Sequence, residues 1–276
     1  MKTSFYSACL ILLLLVGFVS QAEVVPSDPS SSSIQPVLSA DEIVTKMVQR
    51  NLDRARALGA YHGTRVYRLE YRGFPGSRTA EMIVDVKYKS PATKEFSIRS
   101  EKGSKLIIER VFKRMLQTEK EALSEENQRR VALNQDNYRF SLAGYESTPA
   151  GGYYILSVDP RTDNKLLYRG RIWVDAEDFA VQRIEAAPAK NPSFWTKDSR
   201  IEQIYAKVGD FWLPLSNRSS SEIRLGGHAS FTIDYRDYQI TAATPLRPQS
   251  EIAGKAKYFC GALLIAEEVI GRGDRI

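Results

Sequence analysis

The sequence has few of the residues that usually carry out catalysis or bind metals. Its histidines are His62 and His228, and no HExxH, CxxC or GxSxG motif or glycine-rich phosphate loop is present. A Ser-His-Asp site assembled by the fold needs no such motif and stays open. Asp175, Glu177 and Asp178 form an acidic group whose spacing is typical of a tight turn. We predict a protein that is not an enzyme, with no catalytic residue, no metal and no cofactor.

Apolar runs long enough to cross a membrane are also lacking. The run Leu10–Val19 has about ten residues, whereas a membrane-spanning helix needs about twenty. Lys2 precedes this run and the small-residue site Ser20-Gln21-Ala22 follows it. The arrangement predicts a secretory signal peptide over residues 1–22, cleaved after Ala22. Cleavage would remove Cys9, and the remaining Cys260 could form no intramolecular disulfide.

The rest of the chain divides into three predicted parts. Residues 23–38 are rich in proline and serine, a composition that cannot bury a core and favours a flexible linker. Residues 39–245 carry the helical and strand patterns of one domain. Residues 246–276 form a tail whose apolar stretch, Tyr258–Ile270, is too short to span a bilayer. A docking helix and a poorly ordered tail both remain open there.

Dense clusters of basic residues are absent. The net charge is +6, and the 39 lysines and arginines are scattered among 33 acidic residues. Nucleic-acid-binding surfaces concentrate their basic residues on one face or helix. We therefore predict no nucleic-acid partner.

Helical patterns are scarce, and two of them are long enough to cover a sheet. Ser39–Leu58 opens with the capping box Ser39-Ala40-Asp41-Glu42 and carries an apolar stripe. Leu106–Leu133 interrupts the strand patterns with a second stripe, and Ser124 starts a shorter helical piece within it.

Alternation of apolar and polar residues dominates the chain from Tyr61 to Ile240. It is clearest in Thr79–Lys89, where every second residue is apolar. This period is typical of half-buried antiparallel strands. We count about ten strands, and open sheets of that size normally curl, split or flatten.

The predicted fold class is mainly β (α+β), a large curled antiparallel sheet with helices covering its concave apolar face. Because so little helix is available for so much sheet, we expect a hydrophobic hollow. An exported protein with such a hollow most simply binds lipids through their acyl chains. Ala80 should share this face. The predicted ligand-binding residues, on the strands and on the second helical segment, are Met82, Val84, Val86, Leu156, Val158, Ile172, Val174, Ile184, Ile204, Val111 and Met115.

The segment Leu106–Leu133 has two interpretations. As a movable lid, it would hide the apolar hollow when no ligand is bound, since exposed apolar patches are small on soluble monomers. Met115 would suit such a surface because its flexible side chain repacks around different guests. As permanent core, the same stripe would never move. Both interpretations remain open.

Three motifs indicate a family. They are Gly170–Asp175 (GRIWVD), Phe179–Glu185 (FAVQRIE) and Val208–Pro214 (VGDFWLP). With the signal peptide and the order of helices and strands, this pattern resembles the bacterial outer-membrane lipoprotein-sorting proteins of the LolA/LolB-like superfamily. That superfamily also includes periplasmic sigma-factor regulators of the RseB type. The resemblance covers roughly Ala40–Ile240.

The resemblance implies an unclosed half-barrel that works in the periplasm. On this reading, the protein carries acyl chains of lipids or lipoproteins in outer-membrane lipoprotein sorting, between membrane-bound donor and acceptor proteins. The alternative is a regulatory or sensor module that uses the same cavity to bind lipoproteins and acts on a protein partner.

Overall fold

The computed structural model describes residues 38–164, 166–190, 196–224 and 226–243. These lie in the second of the two units into which the chain divides, Leu38–Ile276. The predicted signal peptide, most of the predicted linker, and the predicted tail with Cys260 lie outside the described residues.

Helix α1 (Ala40–Ala57) begins at the predicted capping box. The Glu42 backbone N–H donates to Ser39 Oγ at 3.3 Å, and the Ser39 backbone N–H donates to Glu42 Oε2 at 2.8 Å. These two bonds satisfy donors that the first helical turn leaves without partners. Ile43, Val44 and Met47 are buried on one face, as the apolar stripe predicts.

Within the described residues, ten strands pair into one antiparallel sheet, in the order β3-β2-β1-β10-β9-β8-β7-β6-β5-β4. They are β1 (Leu58–Arg72), β2 (Arg78–Lys89), β3 (Thr93–Gly103), β4 (Tyr138–Thr148), β5 (Gly151–Pro160), β6 (Tyr168–Asp175), β7 (Val181–Pro188), β8 (Thr196–Val208), β9 (Phe211–Ile223) and β10 (Gly227–Ala242). Strands β3 and β4 end the order on opposite sides, so the sheet is not closed. The prediction of an unclosed half-barrel is confirmed.

A helical insertion connects the two edge strands. It runs through α2 (Lys105–Ile107), a π-helical segment (Ile108–Phe112), α3 (Lys113–Glu121) and α4 (Glu125–Val131). We call the continuous run of residues 105–121 the insert helix. No helix in the described ranges is both long and apolar enough to span a membrane.

Two separate apolar clusters make up the core. The insert cluster joins the insert helix to β1, β2, β10 and the start of β9. The α1 cluster joins α1 to strands β4–β8. The two predicted covering segments therefore pack against different parts of the same sheet.

A β-bulge follows the VGDFWLP motif in β9. The register between β8 and β9 shifts between the pairs Ile204–Ser216 and Tyr205–Pro214. Pro214 lacks a backbone N–H and cannot complete a regular ladder, so a bulge is where a proline is tolerated inside a sheet. A proline at position 214 therefore predicts a sheet edge or a bulge, and the structure shows a bulge beside it.

Candidate ligand-binding site

A single row of paired residues crosses the concave face of the sheet. Its members are at most 4% exposed. In order across the sheet they are Met82, Tyr67, Ile233, Asn217, Gln203, Ile184, Ile172 and Leu156. The row is apolar or aromatic at both ends and carries two side-chain amides in the middle.

Ten of the eleven predicted ligand-binding residues belong to the two core clusters. The insert cluster contains Met82, Val84, Val86, Val111 and Met115. The α1 cluster contains the other five, Leu156, Val158, Ile172, Val174 and Ile184. The structure thus gathers them into two groups, where the sequence predicted one hollow.

The predicted register of β2 is confirmed. Met82 and Val84 are fully buried, whereas Glu81 and Asp85, which flank this pair in the sequence, are partly exposed. Which of these buried residues contact a ligand stays a prediction.

Ile204 is the exception, and its predicted placement is wrong. Its cross-strand neighbour on β7 is Arg183, whereas Gln203 pairs with Ile184 of the concave face. Successive side chains of a strand point to opposite faces, so Ile204 lies on the convex side and is partly exposed. The apolar alternation assigned Ile204 to the wrong face because a polar residue, Gln203, occupies the concave face at this point of β8.

The insert helix covers its half of the sheet with three pairs of apolar residues. The Phe112 ring lies 5.9 Å from the ring of Tyr67 and 6.1 Å from that of Phe231, measured between centroids. The buried apolar residues of the helix are Ile107, Ile108, Val111, Phe112, Met115 and Leu116. These pairs recur every four residues, more than the 3.6 of an α-helical turn. The wider π-helical turn at Ile108–Phe112 keeps them on one face.

A buried group of three charges ties the insert helix to the sheet. Arg65 on β1 donates to both carboxylate oxygens of Glu119 on α3, at 2.7 and 3.1 Å. Lys94 Nζ on β3 lies 2.6 Å from Glu119 Oε1. Arg65 also donates to the Tyr67 hydroxyl at 3.1 Å and lies 5.0 Å from the ring centroid of Tyr235. We call Arg65, Lys94 and Glu119 the charge triad.

The electrostatics of the charge triad favour its ionised form. Burial alone would raise the pKa of Glu119, but the fields of Arg65 and Lys94 and their hydrogen bonds outweigh it and lower this pKa to about 2. Burial alone would lower the pKa of Lys94, and the carboxylate of Glu119 reverses this, so the pKa of Lys94 is raised. The pairing therefore holds at neutral pH and offers no group poised for proton transfer.

A polar strip separates the two clusters on the concave face. It consists of Ser199 and Gln203 on β8 and Asn217, Ser219 and Ser221 on β9, each at most 6% exposed. Ser199 Oγ and Ser221 Oγ lie 2.8 Å apart, and Asn217 Nδ2 donates to Gln203 Oε1 at 2.8 Å. Asn217 Oδ1 is buried without a hydrogen-bond partner.

Sequence reasoning missed both the charge triad and the polar strip, although each left a signal. Arg65 stands two residues before Tyr67, so strand alternation places it on the same face. Glu119 follows Val111 and Met115 at intervals of four, which places it on the apolar stripe of the insert helix. The small polar residues of β9 offered no apolar alternation, so the face of that strand could not be assigned.

This face offers mainly apolar contacts. Aliphatic and aromatic surfaces dominate it, and these attract apolar chains through burial of area rather than through directed bonds. Within the described ranges, no group of three or more His, Cys, Asp or Glu side chains is arranged to hold a metal ion. His228 contacts Glu222, with Nδ1 3.0 Å from the carboxylate, in an exposed pair.

Comparison with known proteins gives matches to solved structures only. No family model and no curated protein matches the chain. A domain from Vibrio parahaemolyticus described as an outer membrane lipoprotein-sorting protein matches with 13% identity and a TM-score of 0.37, over 71% of this chain and 91% of that chain. A LolA superfamily protein from Nitrosomonas europaea matches with 12% identity and a TM-score of 0.33, over 75% and 96%.

The MucA/MucB complex of Pseudomonas aeruginosa matches with 11% identity and a TM-score of 0.23, over 72% of this chain and 94% of that chain. Two of these matched structures carry names from the superfamily that the sequence motifs resemble. At these TM-scores and identities the similarity assigns no function.

Proposed function

We propose that this chain is an exported, periplasmic carrier that binds acyl chains of lipids or lipoproteins between the concave face of its sheet and the insert helix. The observation that carries the proposal is the way in which the insert helix is attached to the sheet that it covers. The concave apolar face belongs to one open sheet, whereas its cover is a separate helix attached through its ends, its apolar stripe and the charge triad. Such a cover can be displaced without breaking a strand ladder.

Burial of the apolar stripe of the insert helix and burial of an acyl chain in its place contribute free energies of similar size. Six buried apolar side chains of the insert helix gain about 9–18 kcal/mol from burial, at about 1.5–3 kcal/mol each. A chain of about sixteen carbons gains about 12 kcal/mol, at about 0.8 kcal/mol per methylene. An acyl chain can therefore offset much of the cost of exposing the helix stripe, and a displacement that keeps the charge triad paired avoids the further cost of separating its charges.

The residues expected to meet the acyl chain are those under the insert helix. Met82, Val84 and Val86 face it from β2, and Val111 and Met115 belong to the helix itself. The α1 cluster, with Leu156, Val158, Ile172, Val174 and Ile184, would offer a second apolar surface on the other side of the polar strip.

Binding of fatty acids of increasing length tests the proposal. The exported protein, delipidated and refolded, is titrated with saturated fatty acids of eight to sixteen carbons in a calorimeter. We expect saturable binding that tightens by up to about fourfold per methylene, the factor that corresponds to about 0.8 kcal/mol. Binding that is unsaturable or independent of chain length contradicts the proposal.

Two neighbouring residues supply a matched pair of variants. Met82→Gln keeps the length of a side chain that is fully buried on the concave face, and it should weaken binding of palmitic acid by at least tenfold. Glu81→Gln alters the adjacent, partly exposed side chain on the convex face and should leave binding unchanged. Equal effects of the two substitutions would place the ligand elsewhere.

The regulatory alternative uses the same hollow and differs in the fate of the ligand. A carrier should pass fluorescent palmitate to phosphatidylethanolamine vesicles, because release is part of its cycle. A sensor should keep the probe until a protein partner binds. The transfer rate measured with vesicles alone separates the two.

A further inference from the structure

The polar strip is out of place on a face that otherwise serves apolar packing. The row across the sheet passes from Ile184 through Gln203 and Asn217 to Ile233, so the two amides stand where apolar residues would continue both clusters. Burying an amide without a full set of partners costs free energy. An apolar pair at these positions would avoid that cost. The presence of the two amides therefore suggests that they bind something.

The orientation of the two amides leaves one buried acceptor, Asn217 Oδ1, without a hydrogen-bond partner. Gln203 Nε2 points to the Ile204 carbonyl, at 3.5 Å, so its Oε1 faces Asn217. Asn217 therefore turns its Nδ2 toward Gln203, at 2.8 Å, and its Oδ1 away from it. That oxygen is buried and has no hydrogen-bond partner, and Asn217 is 1% exposed.

The chemistry of the strip limits what could satisfy this oxygen. An acceptor needs an O–H or N–H donor. The strip consists of amides and hydroxyls only, and a charged group buried there would lack a counter-charge, which is costly. The matching group is therefore an uncharged donor, a hydroxyl or a secondary amide.

We propose that the polar strip, through Asn217 Oδ1, accepts a hydrogen bond from an uncharged hydroxyl or amide N–H at the head-group end of the ligand's acyl chain. This inference rests on the proposed function, because the acyl chain must first occupy the apolar clusters on either side. Chains lying along the insert cluster or the α1 cluster would both bring their polar end to the strip, since the strip stands between them. The strip thus sets the position of the ligand along the sheet and selects acyl lipids with a donor near the chain.

Two probes with the same acyl chain test the inference. N-palmitoylethanolamine carries an amide N–H and a hydroxyl, whereas methyl palmitate carries neither donor. The full exported chain should bind the first about five- to tenfold more tightly than the second, the range that one neutral hydrogen bond provides. Asn217→Leu, which keeps the branching at Cγ, should abolish this preference and leave the affinity for methyl palmitate unchanged or higher.

The controls separate the amide from general effects on folding. Ser216→Ala changes the adjacent buried residue, which pairs with Ile204 on the convex side, and should keep the preference. If Asn217→Leu fails to fold because Gln203 loses its donor, the double substitution Gln203→Met and Asn217→Leu removes both amides and should restore folding without the preference.

Each outcome decides between the proposals. A water molecule, or a segment of this chain outside the described residues, would satisfy Asn217 without distinguishing the probes. Equal affinities in the unmodified chain, or a preference that survives in Asn217→Leu, would therefore overturn the inference and leave the carrier function standing. Failure of both probes to bind would overturn the carrier function and this inference together.

Discussion

Replacing Glu119 with glutamine should loosen the insert helix more than any other single charge change in the described residues. The substitution keeps the size of the side chain but leaves Arg65 and Lys94, whose side chains are 6% and 10% exposed, without a counter-charge. Breaking a buried ion pair in this way costs about 3–5 kcal/mol. At about 2–4 °C per kcal/mol for a domain of this size, the thermal midpoint should fall by about 6–20 °C.

The pH dependence of stability supplies a second readout of the same group. The pKa of Glu119 is lowered from its ordinary value of 4.5 to about 2 in the folded protein. A folded-state pKa below the unfolded value means that the stabilisation is complete above pH 4.5 and is lost as the pH falls from 4.5 to about 2. The difference corresponds to about 3 kcal/mol. Glu119→Gln should lack this loss, because it has no carboxylate to protonate.

Urea denaturation followed by circular dichroism, at pH 7 and at steps down to pH 2.5, measures both effects. Glu125→Gln is the matched control, because Glu125 pairs with Arg129 on the exposed face of α4 and such pairs contribute less than about 1 kcal/mol. A variant with Arg65→Met, Lys94→Met and Glu119→Leu removes all three charges and should recover most of the loss. If Glu119→Gln costs no more than Glu125→Gln, the charge triad does not hold the insert helix.

Three further predictions concern the cover, the sheet and export. Met115→Asp puts a charge into the contact between insert helix and sheet, and it should weaken binding of palmitic acid while circular dichroism shows a folded sheet; complete unfolding would mean that the stripe is permanent core. Gly170→Ala should lower stability by about 1–3 kcal/mol, since its Cβ would lie 2.1 Å from the Glu185 carbonyl oxygen, whereas Gly144→Ala has nothing within 4 Å and should be tolerated. Mass spectrometry of the exported protein should find Glu23 as the first residue, and an intact Met1 would refute the predicted cleavage.

Much of the fold could be predicted because its signals are local. The capping box at Ser39 and the alternation in β2 follow from neighbouring residues, and both are as predicted. The bulge at Pro214 follows from a missing backbone N–H. Local patterns of this kind survive folding because they are repeated along each element and agree with one another.

The features that the sequence did not reveal depend on residues far apart in the chain. Arg65 and Glu119 are separated by 54 positions, so their pairing appears only when the insert helix packs on the sheet. Asn217 lies between Gln203 and Ile233 only because β9 pairs with both β8 and β10. Ile204 was misplaced for a related reason, since neither the concave role of Gln203 nor the bulge beside it can be read from alternation alone.

The pairing of β1 with β10 bears on when this molecule can finish folding. Eight of the nine ladders join consecutive strands, but β1 meets β10 across the whole domain, and Tyr67 pairs with Ile233, 166 positions later. Ladders between such distant segments form slowly because a long loop must close first. In a chain that crosses a membrane with its N-terminus leading, as proposed, α1 and β1 arrive well before β10. Strands β1–β3 and β4–β9 would then stay unpaired with each other until translocation is almost complete. Until that point the chain could still pass through the membrane as an incompletely folded polypeptide.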